Sequence, residues 1–159
     1  MTIPITWCPG CFNFVILNAV KNIMKGKEKE FAITTGIGCH GKIFDYLDTS
    51  GVYALHGRTL PVALGIKMAN PALKVIAFSG DGDTYAEGIS HLVHMFRYDA
   101  DLTLIVNDNR VFSLTAGQQT PTTEQGFKTK ASPEGSKQNP MNPIKLALAS
   151  GCRFVARAS

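Results

Sequence analysis

No stretch of this chain stays apolar for the roughly 20 residues that a membrane-crossing helix needs, so a membrane protein of helical type is not expected. Acidic residues are scarce, 12 against 16 Lys and Arg, and charged residues make up only 18% of the 159. The resulting net charge of +4 is modest. The basic residues are scattered, apart from the short stretch Lys21 to Lys29, so no nucleic-acid surface is implied. There are only four cysteines, Cys8, Cys11, Cys39 and Cys152, too few for a disulfide scaffold. The segment before Trp7 is too short to read as a signal peptide, and a cytoplasmic setting is the expectation. In that compartment cysteines serve as metal ligands or redox groups more often than as structural disulfides. No internal repeat is present.

What is there is a hydrophobic fraction of 45%, sufficient for one core and too little chain for two ordinary domains. Residues 1–159 are therefore read as a single domain. Apolar residues at helical spacing predict a helix over 11–25, stopped by Gly26. Phe31 to Thr35 reads as a short buried strand running into the glycine-rich turn Gly36 to Gly41. A helix is predicted over 58–69, ended by Asn70-Pro71, and a strand over 74–79. After Gly80-Asp81-Gly82-Asp83 come a helix over 84–97 and a strand over 101–106.

The stretch 115–142 has no periodicity and reads as a lid, a binding loop or disorder. A helix over 143–150, capped by Gly151, and a strand over 153–156 close the chain. Continuously apolar strands alternating with helices predict an α/β fold, a doubly wound and mostly parallel sheet covered on both faces. Ligands of such sheets sit beyond the carboxyl ends of the strands. Three turns fall there, 36–41, 80–83 and 107–115, and are expected to share one crevice.

Within that crevice the strongest signal is Gly80-Asp81-Gly82 at one strand end with Asp108-Asn109 at the next. Asp81 and Asn109 supply oxygen donors for one hard cation, which shares such ligands with phosphates. The flanking glycines allow close backbone approach, and amides at the start of the following helix can hold an anion. Taken alone, Asp-Gly is a common turn and Asp81 equally a helix cap.

Cys8 and Cys11 form a C-x-x-C pair, and Cys39 lies in the first glycine-rich turn. Three thiols suit an iron–sulfur cluster or a zinc site, each of which takes four ligands. Cys152 is expected to be a small buried residue, and a thioredoxin-like site is disfavoured because too little chain precedes Trp7. His91 and His94 share a helix face but lack a carboxylate partner and read as packing or surface residues. Glu87 reads as a solvated helical residue, and Lys42 as either an anion contact or a solvated turn residue.

The motifs Trp7-Cys8-Pro9-Gly10-Cys11, Thr35-Gly36-Ile37-Gly38-Cys39, His56-Gly57-Arg58, Gly80-Asp81-Gly82-Asp83 and Asp108-Asn109 together resemble the beta subunit of 2-oxoacid:ferredoxin oxidoreductases, along the whole chain. Gly80-Asp81-Gly82 with Asp108-Asn109 also resembles the G-D-G…N-N motif of thiamine-diphosphate enzymes, Asp108 standing for the first asparagine. The resemblance implies thiamine diphosphate held through Mg2+ by Asp81, Asn109 and the Val111 carbonyl. Gly80, Gly82, Asp83, Ser113 and Leu114 would line the cofactor, and Ile37, Gly38, Cys39 and His40 would cradle its diphosphate. His56 and Arg58 would face the cofactor or the substrate carboxylate.

Cys8, Cys11 and Cys39 would bind a 4Fe–4S cluster whose fourth ligand lies in a longer subunit, of which this chain would be the N-terminal fragment. The implied reaction is oxidative decarboxylation of a 2-oxoacid with coenzyme A, giving acyl-CoA and CO2, with electrons leaving singly through the cluster to ferredoxin. An alpha subunit would supply the glutamate that acts on the cofactor's pyrimidine. The alternatives are a small metal-binding or electron-transfer module, and an inactive fragment.

Overall fold

A computed structural model describes residues 3–158. Four parallel strands, β1 (Phe31–Thr35), β2 (Ser50–Tyr53), β3 (Lys74–Gly80) and β4 (Thr103–Asn107), form one sheet in the order β2-β1-β3-β4. Helices α1 (Asn13–Met24), α2 (Thr59–Ala69), α3 (Ile89–Tyr98) and α4 (Pro143–Ala149) accompany it, and a two-residue hairpin pairs β5 (Val111–Phe112) with β6 (Gln118–Gln119). The doubly wound α/β arrangement read from the sequence is the one observed.

Central strand β3 shows why. Its side chains alternate faces, and both faces are buried. Ile76 and Phe78 join Leu17, Val20 and Met24 of α1, with Trp7, Ile33 and Ile43, in one core. Val75 and Ala77 join Leu60 and Ala63 of α2 and Leu92 and Met95 of α3 in the other. Continuous apolarity in β3 is thus the mark of a strand covered twice.

The helix ends follow local chemistry. Gly26, at φ +78°, lets the chain leave α1 in a conformation that side chains disfavour. At α4 the Asn142 side chain accepts the Lys145 N–H at 3.0 Å, and Pro143 occupies the first turn where its missing N–H costs nothing.

Four readings need correction. The helix expected over 84–97 begins only at Ile89; Gly82–Glu87 forms a wider π-type turn that drops the Asp83 side chain into the interior. Edge strand β2 went unpredicted, because its exposed residues carry no apolar run and Gly51 sits in its middle. Phe44 and the Ile33 carbonyl occupy the space a Gly51 side chain would need. Residues 153–156 are not a strand, and Phe154 is 84% exposed.

The fourth concerns 115–142, read as a lid, a binding loop or disorder: of these only disorder is excluded, and the segment is an ordered strap. The Gly126 N–H donates to the Ser136 carbonyl, the Ser136 N–H to that of Phe127, and the Met141 N–H to that of Pro121, while Thr120, Thr122 and Thr123 are buried.

Candidate functional site

Sheet order brings the predicted turns together. The Gly36 N–H donates to the Phe78 carbonyl at 3.1 Å, tying the end of β1 to that of β3. His40, 5% exposed, wedges between the two turns: a Cβ on Gly80 would stand 2.7 Å from its Nδ1, and one on Gly38 2.7 Å from its Cε1. Both positions therefore exclude a side chain. Gly82 does so as well, because the ring of Phe112 lies where its Cβ would project. Phe112 also meets the His56 ring, with centroids 6.0 Å apart. Ile37 remains exposed at the rim.

Asp81 is 3% exposed. Its Oδ2 accepts the Thr120 hydroxyl at 2.6 Å and the Thr122 hydroxyl at 3.3 Å, and Thr122 also contacts Asp108 Oδ1 at 2.8 Å. Burial pushes the Asp81 pKa up, and the Asp108 charge adds to the rise against the opposing pull of Thr120. The strap threonines went unnoticed in the sequence, where they read only as loop composition. Thr123 completes their contact by donating to the Arg110 carbonyl at 2.5 Å.

Asn109 closes its own turn. Its Oδ1 accepts the Val111 N–H at 3.2 Å and its Nδ2 donates to Ser113 Oγ at 2.8 Å. Ser113 Oγ in turn lies 3.6 Å from Cys39 Sγ. Leu114 is 48% exposed beside it in sequence. Asp81, Asp108, Thr120 and Thr122 form a connected set of oxygen groups, buried at Asp81 and carrying two carboxylates, with Asn109 next to Asp108 in the same turn. A hard divalent cation fits such a set.

Asp83, 2% exposed, faces inward. Burial alone would raise its pKa, but His40, the Ser79 hydroxyl and the Gly57 N–H outweigh it and hold the carboxyl at about 2. Its contacts involve both oxygens, so its carboxylate is directed at the protein and not at the crevice. His56 belongs to this group through Asp83. Arg58 is exposed and pairs with His91, whose pKa is lowered by burial and by the nearby Arg58 and His94 charges. Lys42 is engaged as well, donating to the Thr6 carbonyl at 3.3 Å.

The Trp7 indole N–H donates to the Cys39 carbonyl at 2.7 Å, binding the C-x-x-C segment to the β1 turn. Cys11 and Cys39 border the same apolar core, and Cys8 is exposed. All three thiols are free. Among the described residues, no group of three or more His, Cys, Asp or Glu side chains is gathered as a metal site, so the three thiols share a neighbourhood without converging on a centre. Cys152, half-buried, donates its thiol to the Phe154 carbonyl at 3.1 Å. No helix among the described residues is long and apolar enough to cross a membrane.

Parallel strands whose carboxyl-end turns hold a buried aspartate, a neighbouring asparagine and side-chain-free glycines define a cofactor-binding α/β domain, and sequence comparison identifies which. The chain belongs to the thiamine pyrophosphate enzymes: the model of their C-terminal TPP-binding domain matches residues 36–159.

More particularly, it is similar to beta subunits of 2-oxoacid:ferredoxin oxidoreductases. It is 48% identical to the "2-oxoacid:ferredoxin oxidoreductase subunit beta" of Saccharolobus solfataricus, over 95% of this chain and 51% of that one. With the "2-oxoglutarate synthase subunit KorB" of Archaeoglobus fulgidus the identity is 43%, over 98% and 59%. A solved 2-oxoglutarate:ferredoxin oxidoreductase from Magnetococcus marinus, with 2-oxoglutarate, coenzyme A and succinyl-CoA bound, superposes with a TM-score of 0.91 at 38% identity, over 95% of this chain and 53% of that one. The chain thus spans about half the length of the relatives it matches.

Proposed function

We propose that this chain is the thiamine-diphosphate-holding part of a 2-oxoacid:ferredoxin oxidoreductase beta subunit. The observation that carries the reading is Asp81, a buried carboxylate whose pKa is raised by burial at a strand end crowded with oxygen donors. A divalent cation relieves that electrostatic cost, and a cation so placed can anchor a diphosphate.

In this reading Asp81, the Asn109 side-chain oxygen and the Val111 carbonyl hold Mg2+, the Asn109 oxygen releasing the Val111 N–H as it does so. Gly80 and Gly82 keep the wall free of side chains, and Ile37, Gly38, Cys39, His40, Ser113 and Leu114 bound the cofactor, with Asp83 beside them through its backbone alone because its carboxylate is turned inward. Bound thiamine diphosphate supplies the nucleophilic carbon and the electron sink that decarboxylation of a 2-oxoacid needs. His56 faces the reacting end, and Arg58, freed from His91, offers a bidentate guanidinium to a substrate carboxylate.

Cys8, Cys11 and Cys39 are the proposed thiolates of a 4Fe–4S cluster, which requires a fourth ligand. The complete enzyme would draw on an alpha subunit for the pyrimidine-side glutamate, on coenzyme A as acyl acceptor and on ferredoxin as electron acceptor. The proposed domain assignment is one domain over 1–159, as part of a longer subunit. Similarity along nearly the whole chain to oxidoreductase beta subunits favours this reading over an electron-transfer or zinc module.

The test is an anaerobic titration with thiamine diphosphate and magnesium, comparing the wild type with Asp81→Ala and recording iron content and the visible spectrum. Saturable binding abolished by the substitution supports the site, and bound iron with a visible charge-transfer band supports the cluster. Absence of binding by the wild type, both alone and with an alpha subunit present, refutes the reading.

A further inference from the structure

Asp83 is enclosed by polar partners on both of its carboxylate oxygens. Its Oδ1 accepts the Gly57 N–H at 2.7 Å and the Ile37 N–H at 3.4 Å, and lies 2.7 Å from His56 Nδ1. Its Oδ2 accepts the Ser79 hydroxyl at 2.6 Å and the Thr59 hydroxyl at 3.3 Å, and lies 3.5 Å from His40 Nε2. A carboxylate offers about four lone-pair sites, and six groups crowd these two oxygens. Asp83 therefore has no capacity left for a cofactor or metal. Gly36 reinforces the arrangement, since its Cβ would overlap the Asp83 carboxylate.

Of the four side chains that contact Asp83, that of His56 alone has an open side. Its side chain is 37% exposed, while Nδ1 is buried and lies 2.7 Å from Asp83 Oδ1, close enough for a hydrogen bond but off its direction as the ring stands. Its ring stands beside Phe112, which covers Gly82 at the cofactor turn. Gly57, at φ +72° and packed against the backbone of Glu87, fixes the turn that carries it.

We propose that Asp83 is a positioning residue: with a small turn of the His56 ring its carboxylate takes the Nδ1–H, so that Nε2 is the atom presented to the crevice. A histidine free in water exchanges between its two neutral forms; a carboxylate on Nδ1 selects one and fixes the ring plane. Nε2 then serves as an acceptor when the ring is neutral and as a donor when it is protonated, always from the same place. That the crevice takes thiamine diphosphate rests on the function proposed above, whereas the orientation of His56 does not.

The test is ring-nitrogen NMR of the whole chain carrying 15N-labelled histidine, at a pH high enough for neutral imidazole. The four histidines are assigned by single substitution to glutamine. In the wild type His56 should carry its proton on Nδ1, and in Asp83→Ala the proton should redistribute toward Nε2. A wild-type His56 protonated on Nε2 overturns the proposal, whether or not the Asp83 variant folds.

Thiamine diphosphate and magnesium are then added. The amides of Gly80 to Gly82 and His56 Nε2 should shift while Nδ1 stays. Shifts at those amides with an unmoved His56 Nε2 overturn its presentation to the crevice. Amides that do not move, with His56 still protonated on Nδ1, count against the cofactor reading and support the positioning.

Discussion

The hydroxyl of Thr120 offers the sharpest test of how the strap is held. It donates to Asp81 Oδ2 at 2.6 Å in a buried setting, and its own N–H separately donates to Thr123 Oγ1. Thr120→Val removes the first bond, keeps the second and leaves the side-chain shape nearly intact. A hydrogen bond to a charged group contributes about 1.5–3 kcal/mol. Part of that is recovered because Asp81, already raised by burial, protonates more readily once the donor is gone, so the expected loss at neutral pH is about 1.5 kcal/mol. In a chain of this size that lowers Tm by about 3–6 °C. The assay is urea unfolding followed through Trp7, the single tryptophan, which is buried. Asp81→Asn and the double variant complete a cycle whose coupling should be about 1 kcal/mol. A Thr120→Val cost under about 0.5 kcal/mol, or an additive double variant, refutes the view that this bond fastens the strap.

Gly82→Ala, which drives a methyl into the Phe112 ring, should cost about 1–3 kcal/mol in thermal unfolding and weaken thiamine diphosphate binding in calorimetry. Gly57→Ala adds a left-handed penalty to a collision with the Glu87 backbone, and chemical denaturation should show a loss of about 2–4 kcal/mol. Phe78→Ala, in the fully buried centre of β3, should cost about 3–5 kcal/mol by the same measurement. Arg58→Gln should raise the His91 pKa in proton NMR but leave it below the ordinary value, because burial is the larger cause of its lowering.

The sequence was most legible where one element buries itself on both faces. The strand Phe31–Thr35 was read to the residue, and β3 missed only Gly80, since unbroken apolarity marks a doubly covered strand. Edge strand β2 has no such mark. The proposed cation ligands Asp81 and Asn109 could be singled out because glycines and strand ends frame them. Their supports could not be, because Thr120, Thr122 and Phe112 reach the site only through the tertiary path of the strap. The separate work of Asp83 was hidden by the same means: a π-type turn, invisible in the hydrophobic pattern, turns it inward.

The two aspartates of Gly80-Asp81-Gly82-Asp83 show how partners divide equal burial into opposite outcomes. Both carboxylates are almost fully enclosed, and burial by itself raises both. Asp83 meets two backbone N–H groups, two hydroxyls and two imidazoles, and these bring its pKa to about 2. Asp81 has hydroxyl donors and the Asp108 charge nearby, and its pKa stays raised. The stability each contributes must then run oppositely with pH. Asp83, depressed, stabilises the fold above its unfolded value of 3.8, by about 2 kcal/mol, and that contribution fades as pH falls toward 2. Asp81, raised, disfavours the metal-free fold once pH climbs through its folded value, so Asp81→Asn should stabilise the metal-free chain at neutral pH while Asp83→Asn destabilises it. Urea unfolding from pH 3 to 8 measures both slopes, and parallel curves for the two variants would show that burial, not partnership, governs these acids. Magnesium should narrow the gap between wild type and Asp81→Asn, because a cation supplies to Asp81 the compensation that Asp83 already draws from the protein.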